Sequence, residues 1–176
     1  MSARTALKAA TSDAHDRVDA AFAAHDLTDA ASYGDFLQRH AAALGPLEQA
    51  LADAGAGTLI PDFDEHRRAP LLADDLRLLG LTAPPPLPAP RFASDEQAIG
   101  GLYVLEGSRL GGAVLRRGVL AGLPRAFLSA PQSPGRWAGF VASLDQLLYS
   151  RQRLDAAIAA AIDSFGLFER AAKDKA

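Results

Sequence analysis

Apolar residues in the first stretch, Leu7, Ala10, Ala14, Val18, Ala21 and Phe22, recur at three- and four-residue spacings with no turn signal between them. That period predicts an amphipathic helix over about residues 3–23. A second helix opens at Ser32 and runs through Phe36, Leu37, His40, Ala43, Leu44, Leu47 and Leu51 to the "AGAG" at 54–57. After Pro61 a shorter helix is read in "LLADDLRLLGL". "TAPPPLPAP" at 82–90 is an extended surface connector, because successive prolines exclude helix. A glycine-bearing helix covers 94–120, opened by a capping box from Ser94 and Gln97 and ended by Gly118, Gly122 and Pro124. "SPGRW" starts another helix through Leu148, and "LDAAIAAAIDSFGLFERAA" carries helix to the C-terminus.

No stretch alternates as a strand does. The expected architecture is all-α, a bundle-like packing of six or seven helices in one domain over 1–176. Composition narrows the function. A net charge of -3 gives no footprint of a nucleic-acid partner, and the absence of cysteine excludes disulfides, thiolate metal sites and cysteine nucleophiles. Neither a signal peptide nor an apolar run long enough for a membrane span is read, so the expected address is cytoplasmic, with no membrane partner.

The segment "GGLYVLEGSRLGGAVL" at 100–115 carries five glycines inside an apolar helical pattern. Each costs about 1 kcal/mol against alanine in a helix interior. A phosphate loop would explain them, but neither of the usual nucleotide-binding fingerprints is present. Close approach of another helix would also explain them, and predicts no ligand. The third reading has the helix backbone packing directly on a flat, bulky ligand, because glycine removes the Cβ that would hold it away. In that reading Gly107 and Gly111 share one face, Gly100 joins it seven residues earlier, and the pair Gly111 and Gly112 loosens the helix.

His15 borders the apolar stripe of the first helix, as a boundary histidine or a ligand. Lys8 is seven residues earlier, within about 20° of the same azimuth. An imidazole and an ammonium on one face suit a ligand with a metal at its centre and a carboxylate at its rim, which is the shape of haem. A solvated lysine is the plain alternative. His25 and His66 read as loop residues and His40 as a buried helix residue.

"LKAATSDAHDRVDAAF" resembles the proximal helix of haem oxygenases. "YVLEGSRLGG" resembles the distal helix of their bacterial branch, especially the members found beside bacteriophytochromes, and the likeness extends to the final "SFGLFERA". The resemblance implies a helical bundle with haem sandwiched between a proximal and a kinked distal helix. It implies cleavage of haem to biliverdin, CO and ferrous iron, haem being both cofactor and substrate. His15 would be the iron ligand and Lys8 a propionate partner. Gly107, Ser108 and Gly111 would form the catalytic distal surface, with Gly112 beside them on the haem. Tyr149 and Arg151, with Arg153 nearby, would supply the remaining propionate contacts.

Mammalian-type members carry an aspartate where this chain has Ser108, whose hydroxyl anchors water without a carboxylate's charge. That departure motivates the rival expectation of a haem-binding or scaffold protein without turnover. Arg109 either joins the water network or faces solvent, Tyr103 either hydrogen-bonds in the pocket or packs in the core, and Phe165 and Phe168 are pocket wall or plain core. No flavin or nicotinamide fingerprint is present, so electrons are expected from a separate ferredoxin or flavoprotein reductase, with a bacteriophytochrome as recipient of biliverdin.

Overall fold

Helix starts follow from local chemistry in the computed structural model, which describes residues 2–131 and 133–174. Ser2, Asp29, Ser94 and Ser150 each accept a hydrogen bond from a backbone N–H three residues on, satisfying a donor that the first turn leaves open. The helices so begun are α1 (Ala3–Phe22), α2 (Ala30–Asp53), α5 (Asp95–Leu115) and α7 (Arg151–Lys173). Between them lie α3 (Ala56–Leu59), α4 (Ala69–Leu78) and α6 (Arg136–Leu147), with 3-10 turns at Asp64–His66 and Arg116–Gly118. Every regular element among the described residues is helical, and no helix there is long and apolar enough to cross a membrane.

α7 is the central prop: it packs most extensively against α5 and α1, and next against α2. Leu7, Leu37, Leu47, Ile99, Leu102 and Leu105 are fully buried at these junctions. The 82–90 connector straps α2, with Leu87 N–H donating to the Ala42 carbonyl and Gln38 Nε2 to the Thr82 carbonyl. At the start of α5 the reciprocal cap is displaced by one residue, Gln97 Oε1 accepting from Ala93 N rather than from Ser94.

The five glycines of α5 divide by role. At Gly100 the Ala157 carbonyl of α7 stands where a Cβ would be, and at Gly101 Phe92 and Leu51 crowd that position at 2.6 and 2.9 Å. Gly100 therefore belongs to helix packing, which corrects its placement on the ligand face: the expected groove ends where α7 crosses α5 closely. Beyond that crossing the two helices part. The helical hydrogen-bond pattern runs unbroken through Gly107, Gly111 and Gly112, and changes only at Arg116.

Candidate active site

A cavity of about 580 Å³ opens between α1 and α5 above α7. Lys8, Thr11 and His15 line it from α1, and Gly107, Ser108, Gly111 and Gly112 from α5. Phe165 and Phe168 of α7 form its aromatic wall, and Tyr103 packs beside Trp137 with ring centroids 5.7 Å apart. Burial raises the Tyr103 phenol above its usual range, so it is a neutral group here.

His15 is oriented by its own helix. Its Nδ1 lies 3.3 Å from Asp19 Oδ2 and 3.8 Å from Asp16 Oδ1, and its ring meets Phe165 edge-on at 5.7 Å. The side chain is 56% exposed, and among the described residues no hydrogen bond or ion pair engages the remaining ring nitrogen. Thr11, between Lys8 and His15 on this face, spends its hydroxyl on the Leu7 carbonyl (2.8 Å) and is buried.

Across the cavity Gly111 has no atom within 4 Å of where a Cβ would stand. A Cβ at Gly107 would meet Trp137 at 3.5 Å, and one at Gly112 would meet Leu128 at 3.7 Å, both ordinary contacts. The helix backbone is thus bare toward the cavity, and the fold itself does not require it to be.

Behind the glycines is a polar cluster that sequence reasoning missed. Glu48, wholly buried on α2, accepts from the backbone N–H groups of Arg68 (2.7 Å) and Ala69 (3.0 Å), capping α4 and fixing Arg68. Arg68 Nη2 donates to Ser108 Oγ at 2.5 Å, and Ser108 donates to the Leu105 carbonyl at 2.7 Å. Arg68 Nε is buried without a protein partner, a strong donor that a cavity water or ligand must satisfy. Burial pulls the Arg68 pKa down to about 10, and the guanidinium stays charged at neutral pH.

His40 lines the same cavity. Its Nδ1–H donates to the Phe36 carbonyl at 2.9 Å, which leaves Nε2 as an acceptor in the neutral ring. Phe22 and Phe36 flank it at 4.1 and 4.2 Å, and this burial pushes its pKa down to about 4. Because the folded value lies below the unfolded 6.5, the unfolded chain takes up the proton first. The stability His40 contributes is complete above about pH 6.5 and is lost as pH falls toward 4, on the order of 3 kcal/mol in all. Urea unfolding of the ligand-free protein is expected to show a larger loss between pH 7 and 4.5 than the His40→Gln variant; parallel losses would refute this assignment.

Three sequence expectations move. Tyr149 is 73% exposed and packs against the Arg153 guanidinium, while Arg151 pairs with Asp155 at 2.8 Å, and neither lines the cavity. They stand at the start of α7, whereas its cavity residues lie about 20 Å further along. Arg109 neither faces solvent nor reaches the cavity: it is buried against Glu106, also the partner of Arg136, and donates to the His66 carbonyl.

The donor set fits haem. The cavity falls within the size range of small-molecule sites, with aromatic walls, an imidazole oriented by carboxylates, a bare backbone opposite it and an orphaned buried guanidinium N–H. No family model matches the chain. It is 37% identical over 147 residues to a protein named heme oxygenase from Xanthomonas campestris pv. campestris (strain 8004), covering 80% of this chain and 88% of that relative. The fold is similar to the crystal structures of the NO- and CO-bound heme oxygenase from Neisseria meningitidis, with a TM-score of 0.81 and 25% identity over 98% of this chain and 91% of that one.

Proposed function

The chain belongs to the haem oxygenase family, and we propose that the cavity between α1 and α5 is where it holds haem for cleavage, with His15 as the iron ligand. When bound, haem supplies the redox-active iron and is itself the substrate, opened with O₂ and external electrons to biliverdin, CO and ferrous iron. The observation that carries the reading is the opposition, across one aromatic cavity, of an oriented imidazole and a glycine backbone with empty space before it.

Asp19 and Asp16 favour the His15 tautomer with its proton on Nδ1, which leaves the Nε2 lone pair for a metal. Lys8 presents its ammonium to a propionate. Gly107 and Gly111 let the α5 backbone approach the other face, and Gly112 extends that surface. Ser108 cannot supply a carboxylate, but its hydroxyl is held by Arg68 and Leu105 and keeps one lone pair for water. Arg68 Nε–H as donor and His40 Nε2 as acceptor complete a set that can hold and orient water in the cavity. The guanidinium also replaces the charge that Ser108 lacks with one of opposite sign, favouring negative charge developing nearby.

Electrons come from an external donor, a ferredoxin or a flavoprotein reductase in this reading. The "EGSRLGG" distal sequence supports biliverdin supply to a bacteriophytochrome as the purpose.

Hemin titration followed by absorbance, then ascorbate in air with a peroxide scavenger, tests the reading. The expected result is a saturating one-to-one Soret band that gives way to a biliverdin spectrum. A saturable band stable under conditions where another haem oxygenase turns over would leave haem binding alone. No saturable band would remove the cavity assignment.

A further inference from the structure

Arg136 opens α6 without a side-chain cap before it. Gly135 holds the left-handed conformation there, at φ 79°, and offers no hydrogen-bonding side chain. α6 also packs far less extensively against α1 and α5 than α7 does. What fixes its first turn is the Arg136 side chain. Nε and Nη2 donate to the two carboxylate oxygens of Glu106 on α5, at 3.1 and 3.5 Å, and Nη1 donates to the Pro61 carbonyl at 3.1 Å. Glu106 is buried, and it also pairs with Arg109 at 3.2 Å, so one carboxylate serves a guanidinium of its own helix and a guanidinium of α6.

A buried ion cluster is a poor source of stability, because desolvation of the ions offsets their attraction. What a two-point contact between guanidinium and carboxylate does fix is direction. Here it sets the direction of the next side chain. Trp137 leaves α6 toward the cavity, where Cη2 and Cζ3 stand 3.5 and 3.8 Å from the place a Cβ would occupy at Gly107. Its ring centroid is 5.7 Å from that of Tyr103, one turn earlier on α5. The indole is half-buried and lines the cavity, so it is part of the wall between that space and solvent. Glu106 faces α6 while its neighbour Gly107 faces the cavity, and the Arg136 contact therefore ties the wall to the turn of α5 that carries Gly107 and Ser108.

We propose that Arg136 is a positioning residue: anchored on Glu106, it seats Trp137 across Tyr103 and Gly107 as a wall of the cavity, and so slows the escape of bound haem. The retention role rests on the assignment of the cavity to haem. The seating of Trp137 does not, and it is read without ligand.

Trp137 is the single tryptophan of the chain, so fluorescence reports its position directly. Arg136→Met removes the anchor and leaves Glu106 paired with Arg109. In the ligand-free protein this variant is expected to shift Trp137 emission to the red and to raise its quenching by acrylamide. Loaded with hemin, it is expected to release the ligand to excess apomyoglobin about three- to tenfold faster than the wild type, the effect of losing one aromatic contact, with the Soret band unmoved. Trp137→Ala should release hemin at least as fast, and the double variant no faster than Trp137→Ala, because Arg136 acts through the indole. Circular dichroism checks each fold. If Arg136→Met does not fold, Arg136→Lys, which keeps the charge but not the three-way reach of the guanidinium, is read by the same measures and should change them less, in the same direction. Unchanged emission and quenching overturn the seating of Trp137. A displaced indole with unchanged hemin release overturns the retention role, and additive effects of the two substitutions overturn action through Trp137. A wild type that binds no hemin overturns the functional reading and the retention role together, whereas a wild type that binds hemin beside an indifferent Arg136→Met overturns this inference alone.

Discussion

His15→Ala is expected to lose the imidazole-ligated haem spectrum and to lower turnover by more than about 100-fold, with the helical fold unchanged. Loss of a group that merely orients a metal ligand typically costs 10- to 100-fold in affinity or activity, so removal of the ligand itself should exceed that. The fold should not notice. The side chain is 56% exposed, and its contacts are one edge-on meeting with Phe165 and two flexible carboxylates on its own helix. Surface truncations of this kind stay within about 0.5 kcal/mol. Absorbance of the hemin complex and far-UV circular dichroism measure the two halves.

His40 is the rival ligand, since it is the other histidine that lines the cavity and its Nε2 is not used by the protein. Phe36 and Phe22 lie against its ring and Phe127 and Phe168 close around it, so its nitrogen is recessed into the wall. His25 and His66 are spoken for elsewhere, by Asp35 and Ser133. An imidazole spectrum that survives His15→Ala but is lost in His40→Gln would move the ligand to α2. Added imidazole restoring the spectrum of His15→Ala would secure α1.

The residues that could be read from the chain are those whose roles depend on one helix. Lys8 and His15 share an azimuth because seven residues are nearly two turns, and Gly107 and Gly111 because four are nearly one; the structure brings all four to one cavity. Glu48, Arg68 and His40 could not be found that way. A buried glutamate capping another helix, and an arginine that this cap delivers beneath Ser108, exist only once α2, α4 and α5 are packed together. The only hint was Glu48 inside an apolar stretch. Helix ends show the same limit. Ser32 looked like the start of α2, yet it is Asp29 that caps the helix by accepting from Ser32 N, so the helix begins at Ala30. The four residues of α3 and the two 3-10 turns are too short to display any period. Late in the chain, basic and aromatic character near α7 suggested propionate partners at Tyr149 and Arg151, but which end of a long helix meets a cavity is decided by where it crosses its neighbours.

Gly111→Ala is expected to stabilise the ligand-free protein while impairing it as an enzyme. Glycine within a helix costs about 1 kcal/mol against alanine, and Gly111 lies in a continuous helix with no protein atom within 4 Å of the new methyl group. For a chain of this length that gain raises the melting temperature by about 2–4 °C. The same methyl group would project into the cavity assigned to haem, so turnover should fall about tenfold or more, and Gly111→Leu should also abolish saturable hemin binding. Gly100→Ala supplies the contrast: its methyl group would strike the Ala157 carbonyl, and forcing α5 from α7 should cost about 1–3 kcal/mol or more with melting lowered. Opposite signs of stability at two glycines about three turns apart on one helix separate helix packing from ligand room, which a loss of activity at either site alone cannot do. If Gly111→Ala melts higher and still turns over at the wild-type rate, the α5 backbone does not cover the reacting face, and the distal assignment of Gly107, Ser108 and Gly111 fails with it.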